Sequence, residues 1–385
     1  MNILFLMGAY PGFGGVEIVS TVLANKFVQH GFGVSIVSFE RPVLAKDPKK
    51  LSEKVHFYPL SKPTYTKGNI QYLHKIITEE NVDVIINQWA VPYFVARLCK
   101  NAIKGTKCKL ISVHHNVPNT NFRIEQVRID ISKNRGNILF NLAKLCLIKF
   151  FSRLSLRYTI SKSDLYLTLS PSFIPIAEEY TWIKNSGKIR SLANPLTIEA
   201  NREKKIDKNK EIIYVGRIEY NQKCTYRIID IWEKLENSHP DWKLRIIGDG
   251  PDREDLQKRI NNKRLRNIII EGFQNPLPYY KKASILLMVS SYEGLPLTLI
   301  ESMEYGTIPV VYDSFVSVHD LIDNGENGAI IAPPYSEKAF VDMIESLMGN
   351  PDRRQRMAEA AIKKATLYSV DAIAEQWYSL FDELR

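Results

Sequence analysis

Cysteine is scarce and unclustered in this chain: Cys99, Cys108, Cys146 and Cys224 form no Cys-x-x-Cys pair and have no histidines at zinc-ligand spacing. That excludes a structural zinc module and a disulfide framework, and the four read as reduced thiols of a cytosolic protein. Long apolar runs are missing as well. No window approaches eighteen uninterrupted apolar residues, so a spanning helix is not expected and any membrane contact is peripheral. The apolar run at 3–7 has no basic stretch before it and is too short for a signal peptide. Low-complexity segments and repeats at solenoid periods are absent too, which leaves an ordinary globular chain.

With 385 residues, the length favours two domains of ordinary size. The net charge of +10 hides an asymmetry. Residues 1–190 carry 26 Lys/Arg against 12 Asp/Glu, net +14, and the remainder carries 26 against 30, net −4. A basic half joined to a mildly acidic one suggests that one domain meets an anionic surface or substrate; nucleic acid, anionic lipid and phosphorylated acceptors all qualify.

Both halves alternate short apolar runs with helical patterns, the signature of parallel βαβ sheets. In the first half, strands are expected at 2–7, 34–39, 82–87, 109–113, 165–169 and 188–192, with a helix over 16–29 closed by Gly31. A charged stretch at 199–211 reads as a linker. Strands follow at 211–215, 243–247, 267–272, 285–289 and 308–311. A last helix from about 369 sets Ile373, Trp377, Leu380, Phe381 and Leu384 near one face, which needs an apolar dock. The expected fold is α/β, two doubly wound sheets in series.

The chemistry concentrates at strand ends. In SSYEGLPLTLIESMEYGTIPVV, residues 290–311, a strand runs into a polar loop, Pro296 opens a helix and Gly306 closes it. Glu293 then stands at the carboxyl end of a strand, where open α/β sheets bind ligands, and helix N–H groups beside it can hold an anion. Glu301 lies inside the helix and can bond hydroxyls; alone, it is explained as well by helix-end electrostatics. In YVGRIEYNQK, Gly216, Arg217 and Lys223 share one loop after a strand, and two fixed cations there suit a diphosphate. Cations at a diphosphate leaving group stabilise the charge that develops as its bond breaks. MGAYPGFGGVE places Gly12, Gly14 and Gly15 between a strand and a helix, where backbone can approach phosphate or sugar, although the spacing is not GxGxxG. Glu40, ending the second strand, is what a dinucleotide-binding domain sets against a ribose. His114 and His115 follow a strand in SVHHNVP, and one of them is a candidate hydrogen-bond donor or proton carrier; a satisfied structural histidine is an equal alternative.

Taken in order, the Gly14–Gly15 loop, the VGR loop ending in Lys223, GDGPDRE at 248–254, the Glu293 and Glu301 pair and NGENG at 324–328 resemble the retaining GT-B glycosyltransferases numbered family four, over nearly the whole chain. The resemblance implies two Rossmann-like domains facing a cleft: 1–198 for the acceptor, 199–368 for the nucleotide sugar, and 369–385 packing back toward the first. It implies that Arg217 and Lys223 grip the donor diphosphate, Glu301 holds the ribose hydroxyls and Glu293 contacts the sugar. Gly14, Gly15, Gly216 and the backbone at Gly294 and Leu295 then help hold the donor, Gln274 lies near the base, and His114 lies near the sugar, with His115 competing for that alignment. Glu293, Arg217, Lys223 and His114 are the residues it would count as catalytic. It implies no cofactor and no catalytic metal, in keeping with the lack of an Asp-x-Asp triplet. UDP-sugar is the expected donor, and the expected acceptor is a lipid-linked or cell-envelope glycan. Two departures stand out: the spacing from Arg217 to Lys223 is one residue longer than in many members, and Asp320 replaces a more usual glutamate.

Residues 128–162 hold eight Lys/Arg and one acid, with Lys149, Arg153 and Arg157 four apart beside Leu147, Phe150, Phe151 and Leu154. This reads as an interfacial helix on an anionic membrane, or else as the solvated face of a core helix. Nucleic acid is not expected, since no aromatic-interleaved motif accompanies the charge. The enzyme is expected in the cytoplasm, at the inner face of the cell membrane. A sugar-nucleotide epimerase, an inactive donor-binding partner subunit and a nicotinamide dehydrogenase are the alternatives; the last leaves the second half unexplained.

Overall fold

The computed structural model describes residues 1–12, 14–42, 50–132, 136–184, 186–201 and 208–385. The chain divides into two compact units, Met1–Thr197 with Val370–Arg385, and Ile198–Ser369. Residues 202–207 of the expected linker lie outside the described residues.

In the first unit the strands are β1 (Asn2–Ala9), β2 (Gly33–Glu40), β3 (Val55–Pro59), β4 (Val84–Asn87), β5 (Lys109–His114), β6 (Leu165–Thr168) and β7 (Ile189–Ser191). They pair in parallel in the order β3-β2-β1-β4-β5-β6-β7. The central strands read as unbroken apolar runs because helices cover both faces of a parallel sheet. Leu4, Leu6, Val37, Ile85 and Leu110 are all buried, packed with Leu73, Ile77 and Leu98 from the crossover helices. β3 was not visible as a strand. It is a five-residue edge ending in Pro59, where a missing N–H is tolerated, and its apolar pattern is weak.

The last helix, Val370–Leu384, belongs to this unit and packs on helix Gly15–Gln29. Trp377 and Phe381 put their rings 6.2 and 5.5 Å from that of Phe27, and Lys26 pairs with Asp371 at 2.5 Å. Ile373, Trp377 and Phe381 are buried, each contributing about 2 kcal/mol of apolar transfer.

The second unit repeats the plan with β8 (Asn209–Val215), β9 (Lys243–Ile247), β10 (Ile268–Gly272), β11 (Ala283–Met288), β12 (Ile308–Tyr312) and β13 (Ala329–Ile331), parallel in the order β10-β9-β8-β11-β12-β13. Ile212, Leu244, Ile246, Ile285, Leu287 and Val310 form its core with Trp232, Trp242 and Phe340. This order reverses direction between β8 and β11, the position at which doubly wound sheets open a crevice at their carboxyl ends. Among the described residues no helix is long and apolar enough to cross a membrane.

Candidate active site

The chain leaves β8 through Gly216 and Arg217 and leaves β11 through residues 289–296, so both loops open at the switch point of the second unit. There Lys223 Nζ donates to Glu293 Oε1 at 2.6 Å. The Glu293 side chain is 7% exposed and that of Lys223 23%, so the pair is largely removed from water. The loops are also stitched through backbone. Ser291 N donates to Gln222 O at 2.8 Å, and Gln222 Nε2 donates to Tyr292 O at 3.2 Å. The carboxylate of Glu219 accepts the N–H groups of Asn221 and Gln222 at 2.8 and 2.9 Å, folding this loop into a tight turn.

Glycines let a third loop brace this one. Gly216 and Gly248 have φ of +156° and +152°. A Cβ on Gly248 would stand 1.8 Å from Gly216 O, and one on Gly250 2.2 Å from Ile218 O. Gly216 N and Ile218 N instead donate to Ile247 O and Asp249 O, each at 3.0 Å. GDGPDRE is therefore a backbone brace under the cationic loop. Tyr214 OH donates to Arg217 O at 2.7 Å, fixing the backbone. The Arg217 guanidinium is exposed and has no hydrogen-bond or ion-pair partner among the described residues.

Glu301, on helix Leu297–Glu304, accepts a 3.1 Å hydrogen bond from Tyr280 OH on Oε2. Both residues are buried. Burial first, and then the Glu301 charge, push the Tyr280 hydroxyl well above its ordinary pKa, so it stays a neutral donor. Gly294 O accepts from Ser317 Oγ and Leu295 is buried, which pins the 289–296 loop. Gln274 shares this end of the sheet but follows the edge strand β10, held by Glu271 O at 2.9 Å and Tyr279 OH at 3.1 Å. Asp320 lies on the short helix Val318–Leu321, and its carbonyl accepts from Tyr368 OH at 3.3 Å. NGENG folds around Asn327, which bonds Leu321 O and Asp323 N at 3.1 and 2.8 Å and feeds β13. Sequence reasoning missed Glu219, Tyr280 and Ser317, because their roles come from partners that no motif spacing reports.

Gly14, Gly15 and His114 belong to the first unit, at the carboxyl end of its own sheet. Gly14 caps helix Gly15–Gln29. A Cβ there would meet Glu17 Oε2 at 2.2 Å, so the glycine run makes room for a carboxylate at the helix start. His114 Nδ1 bonds the hydroxyl of Tyr166, and its Nε2 is buried without a partner among the described residues. Burial pushes the ring down to about 4, so it is neutral near pH 7 and suited to hydrogen bonding more than to carrying a proton. His115 is pushed to about 3 by burial and then by His114, and its Nε2 lies 2.6 Å from Gln88 Oε1. Glu40 is ion-paired with Lys62. A cavity of about 340 Å³ opens between Gly8, Glu17, Glu40, Lys62, Gln88 and Trp89. A larger one of about 610 Å³, between Met1, Asp83, Lys109 and Phe381, lies at the opposite end of these strands. Within the basic stretch 128–162, Lys133 and Arg135 lie outside the described residues.

Two Rossmann-like parallel sheets in tandem make this a GT-B fold. Residues 197–364 match the family described as Glycosyl transferases group 1, and residues 13–184 match Glycosyltransferase Family 4. The chain belongs to this family of GT-B glycosyltransferases. The nicotinamide reading of the glycine loop and Glu40 is thereby overturned. An uncharacterized glycosyltransferase of Haemophilus influenzae is 25% identical over 382 residues, 94% of this chain and 95% of that protein. A Campylobacter jejuni enzyme named GalNAc-alpha-(1->4)-GalNAc-alpha-(1->3)-diNAcBac-PP-undecaprenol alpha-1,4-N-acetyl-D-galactosaminyltransferase is 22% identical over 200 residues, 51% of this chain and 55% of that one. The solved structure of Anabaena Alr3699/HepE in complex with UDP is similar in fold, with a TM-score of 0.73 at 14% identity over 100% of both chains.

Proposed function

We propose that this glycosyltransferase is a retaining, metal-independent hexosyltransferase that uses a UDP-sugar and extends a lipid-linked or cell-envelope glycan. The observation that carries the reading is the Lys223–Glu293 pair at the β8/β11 switch point, with the exposed Arg217, unpaired among the described residues, on the same loop. In this reading the two cations bind the donor diphosphate and Glu293 contacts the sugar, while Glu301, oriented by Tyr280, takes the ribose hydroxyls. The bond from the anomeric carbon to the diphosphate oxygen breaks, and the acceptor hydroxyl oxygen bonds that carbon on the same face. The hydroxyl proton passes to the departing diphosphate. Arg217 and Lys223 meet the charge that grows on that leaving group, so they act more strongly in the transition state than in the ground state. The first unit takes the acceptor. A UDP complex of a protein with the same fold supports the base, and an undecaprenol-linked substrate in one relative's name supports the acceptor class. The free thiols of Cys99, Cys108, Cys146 and Cys224 suit the cytoplasm, where the enzyme works at the inner face of the membrane.

The test is calorimetry with UDP-, GDP- and ADP-sugars on wild type and on Arg217→Ala/Lys223→Ala, followed by proton NMR of the product's anomeric signal. UDP-sugar binding lost in the double variant, and a product with the donor's anomeric configuration, are expected. No binding of any nucleotide sugar to folded wild type would sink the reading. Binding without transfer to any acceptor would make the chain a donor-binding subunit instead.

A further inference from the structure

We propose that the outward face of helix Ile138–Lys162 is a docking surface for an anionic membrane leaflet. The helix has two apolar sides. One, through Leu156, Thr159 and Ile160, packs into the first unit. At 3.6 residues per turn, Leu139, Phe140, Leu147, Phe150, Phe151 and Leu154 fall together on the opposite side. Their exposures run from 44% for Leu154 to 73% for Leu139. Between Leu139 and Leu154 the stripe is about 22 Å long, and a contiguous exposed apolar surface of that extent marks an interaction site.

Charge selects the occupant. The helix carries Lys144, Lys149, Arg153, Arg157 and Lys162 and no acidic residue. At its flank the Arg153 guanidinium lies 4.2 Å over the ring of Trp182, which is itself 61% exposed, and Arg157 Nη1 donates to Thr181 O at 2.7 Å. An apolar stripe bordered by cations and an exposed tryptophan matches a helix lying in the plane of an anionic leaflet. A second copy of the chain fits worse, because self-association through this face would set the exposed Lys144, Arg157 and Lys162 against like charges with no acid on either helix. This inference deepens the acceptor half of the proposed function and rests on it for its purpose: a lipid-linked glycan presents its sugar just above such a surface.

The test needs no turnover. Co-sedimentation with vesicles of phosphatidylcholine alone and with added phosphatidylglycerol is measured for wild type, for Leu147→Ser/Phe150→Ser/Phe151→Ser and for Lys144→Glu/Lys162→Glu, all exposed positions. Wild type is expected to bind the anionic vesicles at least about tenfold better than the neutral ones, each variant to lose about tenfold or more, and added salt to weaken binding. Because the changed side chains are exposed, thermal unfolding is expected to be unchanged, and donor calorimetry reports separately on the second unit. Equal affinity of wild type and folded variants for anionic vesicles overturns the proposal. So does light scattering that shows the apolar variant turning a dimer into a monomer with no vesicle binding by either.

Discussion

Lys223 and Glu293 are 70 residues apart in sequence, yet Nζ and Oε1 stand 2.6 Å apart because β8 and β11 are neighbours in the sheet. Glu293 is the more buried partner, so the pair is asymmetric: removing the lysine strands a carboxylate that water reaches poorly.

Lys223→Ala is therefore expected to destabilise the chain by about 1–3 kcal/mol. Adding Glu293→Gln is expected to restore part of that loss, since a neutral amide needs no cation. Urea unfolding of the two singles and the double gives the coupling. Strict additivity would show that the contact contributes nothing, while donor affinity is expected to stay lost in the double.

Gly248→Ala tests the brace beneath the cationic loop. The added Cβ would fall 1.8 Å from Gly216 O at a φ of +152°, against backbone that cannot swing aside. A loss of about 2 kcal/mol or more is expected, together with weaker donor binding as Arg217 shifts. Gly325→Ala is the control, with φ of +83° and nothing within 4 Å, and is expected to cost only about 1 kcal/mol of backbone strain. Equal melting shifts for the two would contradict the steric argument.

These two cases show what the sequence could reveal. Apolar runs such as 2–7 and 285–289 marked the strands because parallel strands bury both faces, and the loops after β8 and β11 were recognisable from Arg217, Lys223 and Glu293. β13, three residues long, was too short to show a period. Pairings set by topology were hidden as well: nothing near Glu301 announces Tyr280, and GDGPDRE gives no sign that its glycines lie against Gly216 O and Ile218 O. The basic helix read either as interfacial or as the solvated face of a core helix; it has two apolar sides, and only burial tells which of them is covered.

His114 predicts a pH dependence. Its folded pKa of about 4 lies below the ordinary value of roughly 6.5, so the unfolded chain takes up the proton first as pH falls. The stability it contributes is complete above about pH 6.5 and is lost progressively toward pH 4, with roughly 2 kcal/mol gone between pH 7 and 5. His114→Gln is expected to flatten that slope in urea unfolding at the two pH values. An unchanged slope would assign the acid sensitivity elsewhere, His115 being the first candidate.

Tyr280 is a positioning residue, and its effect separates from simple structural loss. Its hydroxyl, buried and donating to Glu301 Oε2, holds the carboxylate in one orientation beneath the switch-point loops. Tyr280→Phe keeps the ring and removes only that bond, a change of about 1 kcal/mol. If Glu301 binds the ribose equally in ground and transition states, the loss appears as a several-fold rise in the donor KM with kcat nearly unchanged. Glu301→Ala is expected to move the same constant further in the same direction, and Tyr280→Phe to add little in that background. A fall in kcat at constant KM in Tyr280→Phe would instead mean that Glu301 acts on the leaving group, and the assignment of the ribose to it would have to be given up.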